Sequence, residues 1–477
     1  METKKTTISQ KDNYAGNFGL ILRSSAIFYA INNKKMKTTV SFLNYWILKR
    51  DIKVTVIINL RKMNGALVSR EFADFSNGMV FNYSPKYKDF EGSIEIEVFS
   101  LENMVIPYAA VMVIYESKES ISMVHSYARI YSLHEIEEKR TISNGRESCW
   151  TIRDSQSMRS FCVMHNGSSL QKEQTSRVTI TTSANERHYY DIIIPELNAY
   201  ASHRINLNEE INGISDILKG EAGNASINFE LNNSFTRLLV GNERIDNGEF
   251  QITHSNFNYL EHLSDSCDED NTNAYMHILK LPEKKLKVVV YPDMAPGKYI
   301  IKDGNMEIKI QSKEMLRYIP TSKKQIFSSE NKILPTRIVT ALSGGNDNKL
   351  PFECSLGVFH NKRPPKRMHW GSAVAQKKLS GSLYISVLDD IYGPIEDAKI
   401  IARLYSSVSP DYIEKEFCGI DVSTFESGVL FSDIFIDSEN FLSGECGYYT
   451  LFSEYRGLLI YSSIENENGS FTLRHSF

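Results

Sequence analysis

The stretch "ITHSNF" (252–257) has two counterparts in the chain, "MVHSYA" (123–128) and "LRHSF" (473–477). All three place His-Ser ahead of an aromatic residue, and the likeness continues upstream. "IPYAAVMVIYESKES" precedes the first, "SFTRLLVGNERIDNGEF" the second and "EYRGLLIYSSIENENGSF" the third. Each runs from an aromatic residue (Tyr108, Phe235, Tyr455) through an apolar segment to a Glu (Glu116, Glu243, Glu465) that opens a polar turn. Two of the turns carry Asn-Gly, at Asn247-Gly248 and Asn468-Gly469. Asn-Gly is the strongest short-range hairpin signal, because both turn residues accept positive φ. The unit is a hairpin whose second strand closes a module.

Further landmarks precede each hairpin in the same order. A Gly-led strand comes first upstream: "EGSIEIEVF" (91–99), "AGNASINFEL" (222–231) and "SGECGYYTLF" (443–452). At the front stands an opening strand ending in Asn44, Asn166 or Asn361. An alternating strand follows it: "VTVIINL" (54–60), "VTITTSA" (178–184) and "LYISVLD" (383–389). Opening Asn and closing His are 81, 88 and 114 residues apart, the third through longer loops. Four matched landmarks in one order indicate duplication.

Periods of two dominate between the landmarks, as a sheet with one dry face requires. "ISDILKG" (214–220) reads as a short helix. Modules of about 100 residues with many short strands have the size of a two-sheet sandwich. The closing histidines are 129 and then 221 residues apart, so the second interval holds an insertion. It opens with the acidic run "DSCDEDNTN" (265–273) and continues through three strand-like runs in 286–320, either a β element of its own or strands fused to the third module. The sequence thus predicts an all-β chain. Three tandem sandwiches are expected at 36–131, 145–259 and 335–477, with an acidic linker and inserted β segment at 262–334.

Of the 477 residues 42% are hydrophobic, and the formal charge is −4, which gives no global reason to expect nucleic acid or an anionic membrane as partner. The six cysteines show no C-x-x-C spacing and so signal neither a zinc knuckle nor a redox pair. The start, "METKKTTISQKDNY", is polar where a signal peptide needs an apolar core. "FGLILRSSAIFYAI" (18–31) contains Arg23 and falls short of the roughly 20 apolar residues of a membrane span, so it reads as a buried strand. The expectation is a cytoplasmic protein with reduced thiols and no membrane insertion.

Residues 147–257 resemble the sensory rhodopsin transducer family. The likeness is carried by Trp150, His165-Asn166, "VTI" at 178–180, "IPELNAYASHRINL" at 194–207 and "FTRLLVGNERID" at 235–246. Where the family's last strand has Gln-His, this chain has Val240-Gly241. The resemblance implies a soluble sandwich with a carbohydrate-binding-module-like fold and a binding role, without implying a rhodopsin partner.

Linear enzyme signatures are missing: G-x-S-x-G, H-E-x-x-H, G-x-x-x-x-G-K-[ST] and G-x-G-x-x-G after a strand do not occur. The catalytic residues, if any exist, are unassigned. His125, His254 and His475 read as architectural histidines packed between sheets, since one His per module falls short of the three or four ligands of a zinc site. No metal and no cofactor are expected. The chemically richest stretch is "FHNKRPPKRMHWG" (359–371). There Lys362, Arg363, Lys366 and Arg367 surround two prolines, with His360, His369 and Trp370 beside them. Basic groups bind carboxylate or phosphate and an indole stacks on a ring, so these seven residues are the candidate ligand site. The alternative is a solvated loop with its Trp tucked under. The favoured function is a non-enzymatic binding or scaffolding protein presenting repeated modules to a glycan or protein partner. The other reading is a carbohydrate-modifying enzyme with its site at an inter-module cleft. Exposed sheet edges, "SIEIEVF" (93–99) and "ASINFEL" (225–231) among them, are expected to be covered by neighbouring modules or by another copy of the chain.

Overall fold

The computed structural model describes residues 22–101, 111–130, 142–144, 147–232, 234–257, 267–268, 273–281, 283–292, 294, 296–330, 334–335, 338–356, 358–359 and 367–476. Strands make up 54% and helices 9%, so the all-β class holds. Among the described residues no helix is long and apolar enough to cross a membrane. Cys162, Cys354, Cys418 and Cys446 carry free thiols.

One eight-strand pattern recurs. Its first occurrence runs Leu22–Asn32, Met36–Leu43, Thr55–Lys62, Leu67–Phe72, Val80–Tyr83, Phe90–Ser100, Met112–Ser117 and Ile121–Val124. The first, sixth, third and fourth strands lie side by side in one sheet; the fifth, second, seventh and eighth form the other. The same order returns with Glu147–Ile152 as first strand and Phe250–His254 as eighth, and again from Met368–Ala373 to Phe471–His475. It also occurs between these, from Asn273–His277 to Phe352–Leu356. In every case apolar side chains of both sheets share a core, as Trp150, Val178 and Val240 do in the second.

The described strands therefore sort into four sheet pairs, and the expected boundaries shift. Thr340–Gly344 pairs with both Lys287–Val290 and Phe352–Leu356, while Val358–Phe359 pairs with Tyr275 and Met276. Thr340–Gly344, Phe352–Leu356 and Val358–Phe359, expected in the last module, thus complete a sandwich with the inserted segment. The expected opening Asn361 lies outside the described residues. "LYISV" belongs to the second strand of the last module, Leu379–Val387, and by its pairing with the seventh strand Val387 stands where Asn44 and Asn166 stand. Val387 precedes His475 by 88 residues, in line with the 81 and 88 of the other modules. The first module likewise begins before residue 36, since Leu22–Asn32 is its first strand. The sixth strands, Phe90–Ser100 and Gly223–Ile227, lie inside their sheets between the first and third strands. Strands of their own module cover "SIEIEVF" and the "ASI" of "ASINFEL", so these are not edges.

The two sheets of a module meet different surroundings. First sheets alternate buried and exposed residues towards their outer strands, as in Gln174–Thr181. Second sheets are dry on both faces: every residue of Ile121–Val124, Phe250–His254 and Thr340–Gly344 is buried. That explains the unbroken apolar runs of the hairpins, since a strand covered on both sides gains from apolar residues at successive positions. The second faces are covered by neighbouring modules. The eighth strand of module one touches that of module two, two touches three, three touches four, and four touches one.

The turns between strands dock on the next module as well. Gly65, at φ +85°, closes the turn after the third strand of module one, where Lys62 N–H donates to Ala66 O at 2.9 Å. A Cβ on Gly65 would lie 2.2 Å from Ala199 O of module two. Gly65→Ala is expected to destabilise the protein by about 1–3 kcal/mol from backbone strain alone. Urea unfolding checks this, and unchanged stability would show that module two does not press on this turn.

Candidate functional site

The three His-Ser motifs converge. His125 and His254 are buried and His475 is half-buried, and they come from modules one, two and four. The His125 ring centroid lies 4.5 Å from that of His254 and 5.1 Å from that of His475. One nitrogen of each falls within 4.8 Å of the others. The inference that one histidine per module cannot bring three ligands to one point fails, because the eighth strands of the modules pack against one another. In the third module Leu356 takes the place of the histidine: Thr340 pairs with Leu356 as Leu239 pairs with His254 and Tyr461 with His475.

The motif's serines hold the rings. His254 Nδ1–H donates to Ser255 O at 2.7 Å and His475 Nδ1–H to Ser476 O at 3.2 Å, a tautomer assignment that follows from a carbonyl being an acceptor only. The Ser255 amide in turn donates to Leu238 O, just before the seventh strand of module two, and the Ser476 amide to Ile460 O on that of module four. Arg237 Nη1 donates to His125 Nε2 at 3.2 Å, so His125 is neutral in this arrangement. Ser126 Oγ donates to Arg237 O at 2.6 Å and ties that segment back to module one.

Polar side chains between the eighth strands complete the hub. The fully buried Arg474 donates through Nε to Met123 O of module one. Its Nη1 reaches Thr253 Oγ1 at 3.0 Å and its Nη2 reaches Ile252 O at 3.4 Å in module two. Burial lowers its pKa to about 10. Gln251 Nε2 donates to Ile121 O at 3.3 Å and to Ser470 Oγ at 3.1 Å, linking module two to one and four. Ser355 Oγ donates to Asn256 Oδ1 at 2.9 Å, and Leu350 N–H to Glu249 Oε1 at 2.6 Å, which brings in module three.

Three imidazole nitrogens with two Nδ1–H groups held on carbonyls make a donor set of the kind that metals use. The electrostatics point elsewhere. Burial holds His125 and His254 well below the usual imidazole range, and the Arg237 and Arg474 guanidiniums lower them further. A divalent cation entering here meets the same two positive charges. The arrangement favours neutral, mutually packed rings that lock three modules together.

The basic stretch has a different fate. His360, Lys362, Arg363 and Lys366 lie outside the described residues. Arg367 is exposed and faces Glu454 at 3.4 Å. His369 and Trp370 belong to the first strand of module four, paired with Leu451 and Thr450. Trp370 is 8% exposed, its ring 5.3 Å from that of Tyr45, with Lys49 Nζ 4.9 Å from its centroid. It anchors module four on the helix Tyr45–Arg50 of module one. His369 Nδ1 shares a hydrogen bond with Ser476 Oγ at 3.3 Å and so adjoins the hub. Arg474 escaped the sequence reading, because nothing local marks an arginine as buried.

The outward surface is repetitive too. The fourth strands, Leu67–Phe72, Arg187–Ile194, Met306–Gln311 and Tyr412–Cys418, each end their sheet. Each exposes a large apolar side chain: Phe72 (73%), Tyr189 (60%), Met306 (42%) and Tyr412 (47%). Compared with known proteins, the chain matches no family model and no curated protein.

Two outcomes test the hub and its neighbour. An unfolded histidine titrates near 6.5, so the unfolded chain binds more protons than the folded one below about that pH. The contribution of neutral His254 to stability is therefore full above that pH and is lost as pH falls, by at most about 1.4 kcal/mol per pH unit. The stability deficit of His254→Gln relative to the parent is expected to shrink between about pH 7 and 5, since the variant has no ring to protonate. Thermal melts across that range check this, and a deficit independent of pH would overturn it. Trp370→Ala is expected to cost about 3–5 kcal/mol, the usual loss for a buried aromatic. Denaturant titration decides, and a loss under about 1 kcal/mol would show that the ring anchors nothing.

Proposed function

We propose that the protein is a non-enzymatic binding or scaffolding protein that presents repeated β-sandwich modules to a partner, a protein in the first place and a glycan in the second. The carrying observation is the equivalent exposed edge on all four modules, each with an apolar side chain in the same strand. A sheet edge offers unpaired N–H and C=O groups to which an extended segment adds by main-chain hydrogen bonds, and flanking apolar side chains give preference. The same edges could join copies of this chain into a homo-oligomer. Two further points support a binder. The donors of Arg237, Gln251 and Arg474 are engaged in joining modules, and residues 147–257 resemble a family of binding sandwiches. The enzyme alternative draws on one feature, an inter-module cleft lined by charged side chains.

The edges can be altered without touching a core. Phe72→Lys, Tyr189→Lys, Met306→Lys and Tyr412→Lys, singly and combined, are each expected to change stability by no more than about 0.5 kcal/mol, as surface substitutions do. Binding to partners identified with the parent protein by glycan array and affinity capture should fall stepwise with the number of edges altered. Full retention of every partner by the quadruple variant, or turnover of a bound saccharide, would overturn the proposal.

A further inference from the structure

A cleft of about 430 Å³ lies between modules two and three. Arg153, Arg317 and Lys287 line it together with Asn185, Val289 and Met315, and Glu221 is its one carboxylate. Arg153 follows the first strand of module two, and its backbone is fixed: its N–H donates to Ser160 Oγ at 2.8 Å and to Asn242 Oδ1 at 2.9 Å. Its partly buried guanidinium makes no ion pair and no hydrogen bond among the described residues.

Arg317, on the fifth strand of module three, reaches across the boundary. Its Nη2 donates to Thr151 Oγ1 at 3.1 Å and to Gly223 O at 3.0 Å, while its buried Nε has no acceptor. Burial, with Arg153 adding repulsion, lowers the Arg317 pKa to about 9. Behind Arg153 a cavity of about 20 Å³, large enough for one water, reaches Glu353. Burial pushes the Glu353 carboxyl up to about 7, so its charge only partly offsets the arginines. Met315 N–H donates to Asn185 Oδ1 at 2.7 Å and holds the two modules at this spacing.

Two guanidiniums sharing a partly dry cleft repel each other, and only the Nη2 of Arg317 has acceptors, so an oxyanion between them offsets the repulsion and gives Arg153 a partner. We propose that this cleft binds a small organic anion of about the size of a sugar, its phosphate or carboxylate head between Arg153 and Arg317 and its body against Val289 and Met315. Lys287, exposed at the mouth, adds attraction at longer range. This assignment does not rest on the edge-strand reading. It fails or holds whether or not the edges bind a partner.

The test uses the full chain, with inorganic phosphate, glucose 6-phosphate, glucuronate and glucose as probes in calorimetry and thermal melts. Phosphate and at least one of the two sugar anions are expected to raise the melting temperature, and glucose is not; the ranking of glucose 6-phosphate against glucuronate tells phosphate from carboxylate. Arg153→Met should weaken anion binding about tenfold or more. Arg317 also ties the modules together, so its removal is not used. Should Arg153→Met fail to fold, Lys287→Asp decides from an exposed position, where charge reversal should weaken binding about tenfold at low salt. No response to any anion, a response to glucose equal to that of glucose 6-phosphate, or undiminished anion binding by a folded Arg153→Met or Lys287→Asp chain would each overturn the assignment.

Discussion

Arg474 sits where the closing strands of the modules meet, and its guanidinium is bonded to acceptors from modules one and two. A buried cation is costly unless its N–H groups are satisfied, and satisfying this one requires strands of three modules in one place. The constraint propagates. With the eighth strands held together, the second sheets are covered on both faces, and their seventh and eighth strands gain from being apolar throughout. The three histidines fall into contact because His254 and His475 end those strands and His125 follows directly on one.

Two dry concentrations of positive charge among the described residues differ in one respect. At the hub, Arg237 and Arg474 donate to an imidazole nitrogen, to carbonyls and to a hydroxyl of neighbouring modules. Their charge is accommodated by neutral acceptors. Between modules two and three, the Arg153 guanidinium lines the cleft without a partner among the described residues, and the buried Nε of Arg317 has no acceptor. A side chain satisfied by the protein holds a fold together. One left unsatisfied beside a cavity is available to a ligand.

A division of labour between sheets follows from the same geometry. Second sheets face inward and carry Gln251, Arg474 and the histidines that join modules. First sheets face outward and end in the fourth strands, where Phe72, Tyr189, Met306 and Tyr412 meet solvent. Duplication preserved the strand order in all four modules while the residues at the hub diverged, as Leu356 shows against His254 and His475.

Local rules determined much of this in advance. Asn247-Gly248 and Asn468-Gly469 marked hairpins because positive φ is a local demand, and both glycines have it. Glu116, Glu243 and Glu465 marked equivalent positions and pair with Ile121, Phe250 and Phe471 in the same register. Alternation and apolar runs identified strands, since burial of one face or two is written residue by residue. Other features depend on what lies across a module boundary, and no local pattern records that. The third sandwich was hidden because its hub position is Leu356. "LYISVLD" was placed in the wrong strand because two strands of one sandwich share the same alternation. Trp370 looked like a surface platform among basic residues, and only the helix at Tyr45 buries it. The meeting of His125, His254 and His475, and the facing of Arg153 by Arg317, arise from packing between modules 100 or more residues apart in sequence, where tertiary contact alone brings charges and rings within reach of one another.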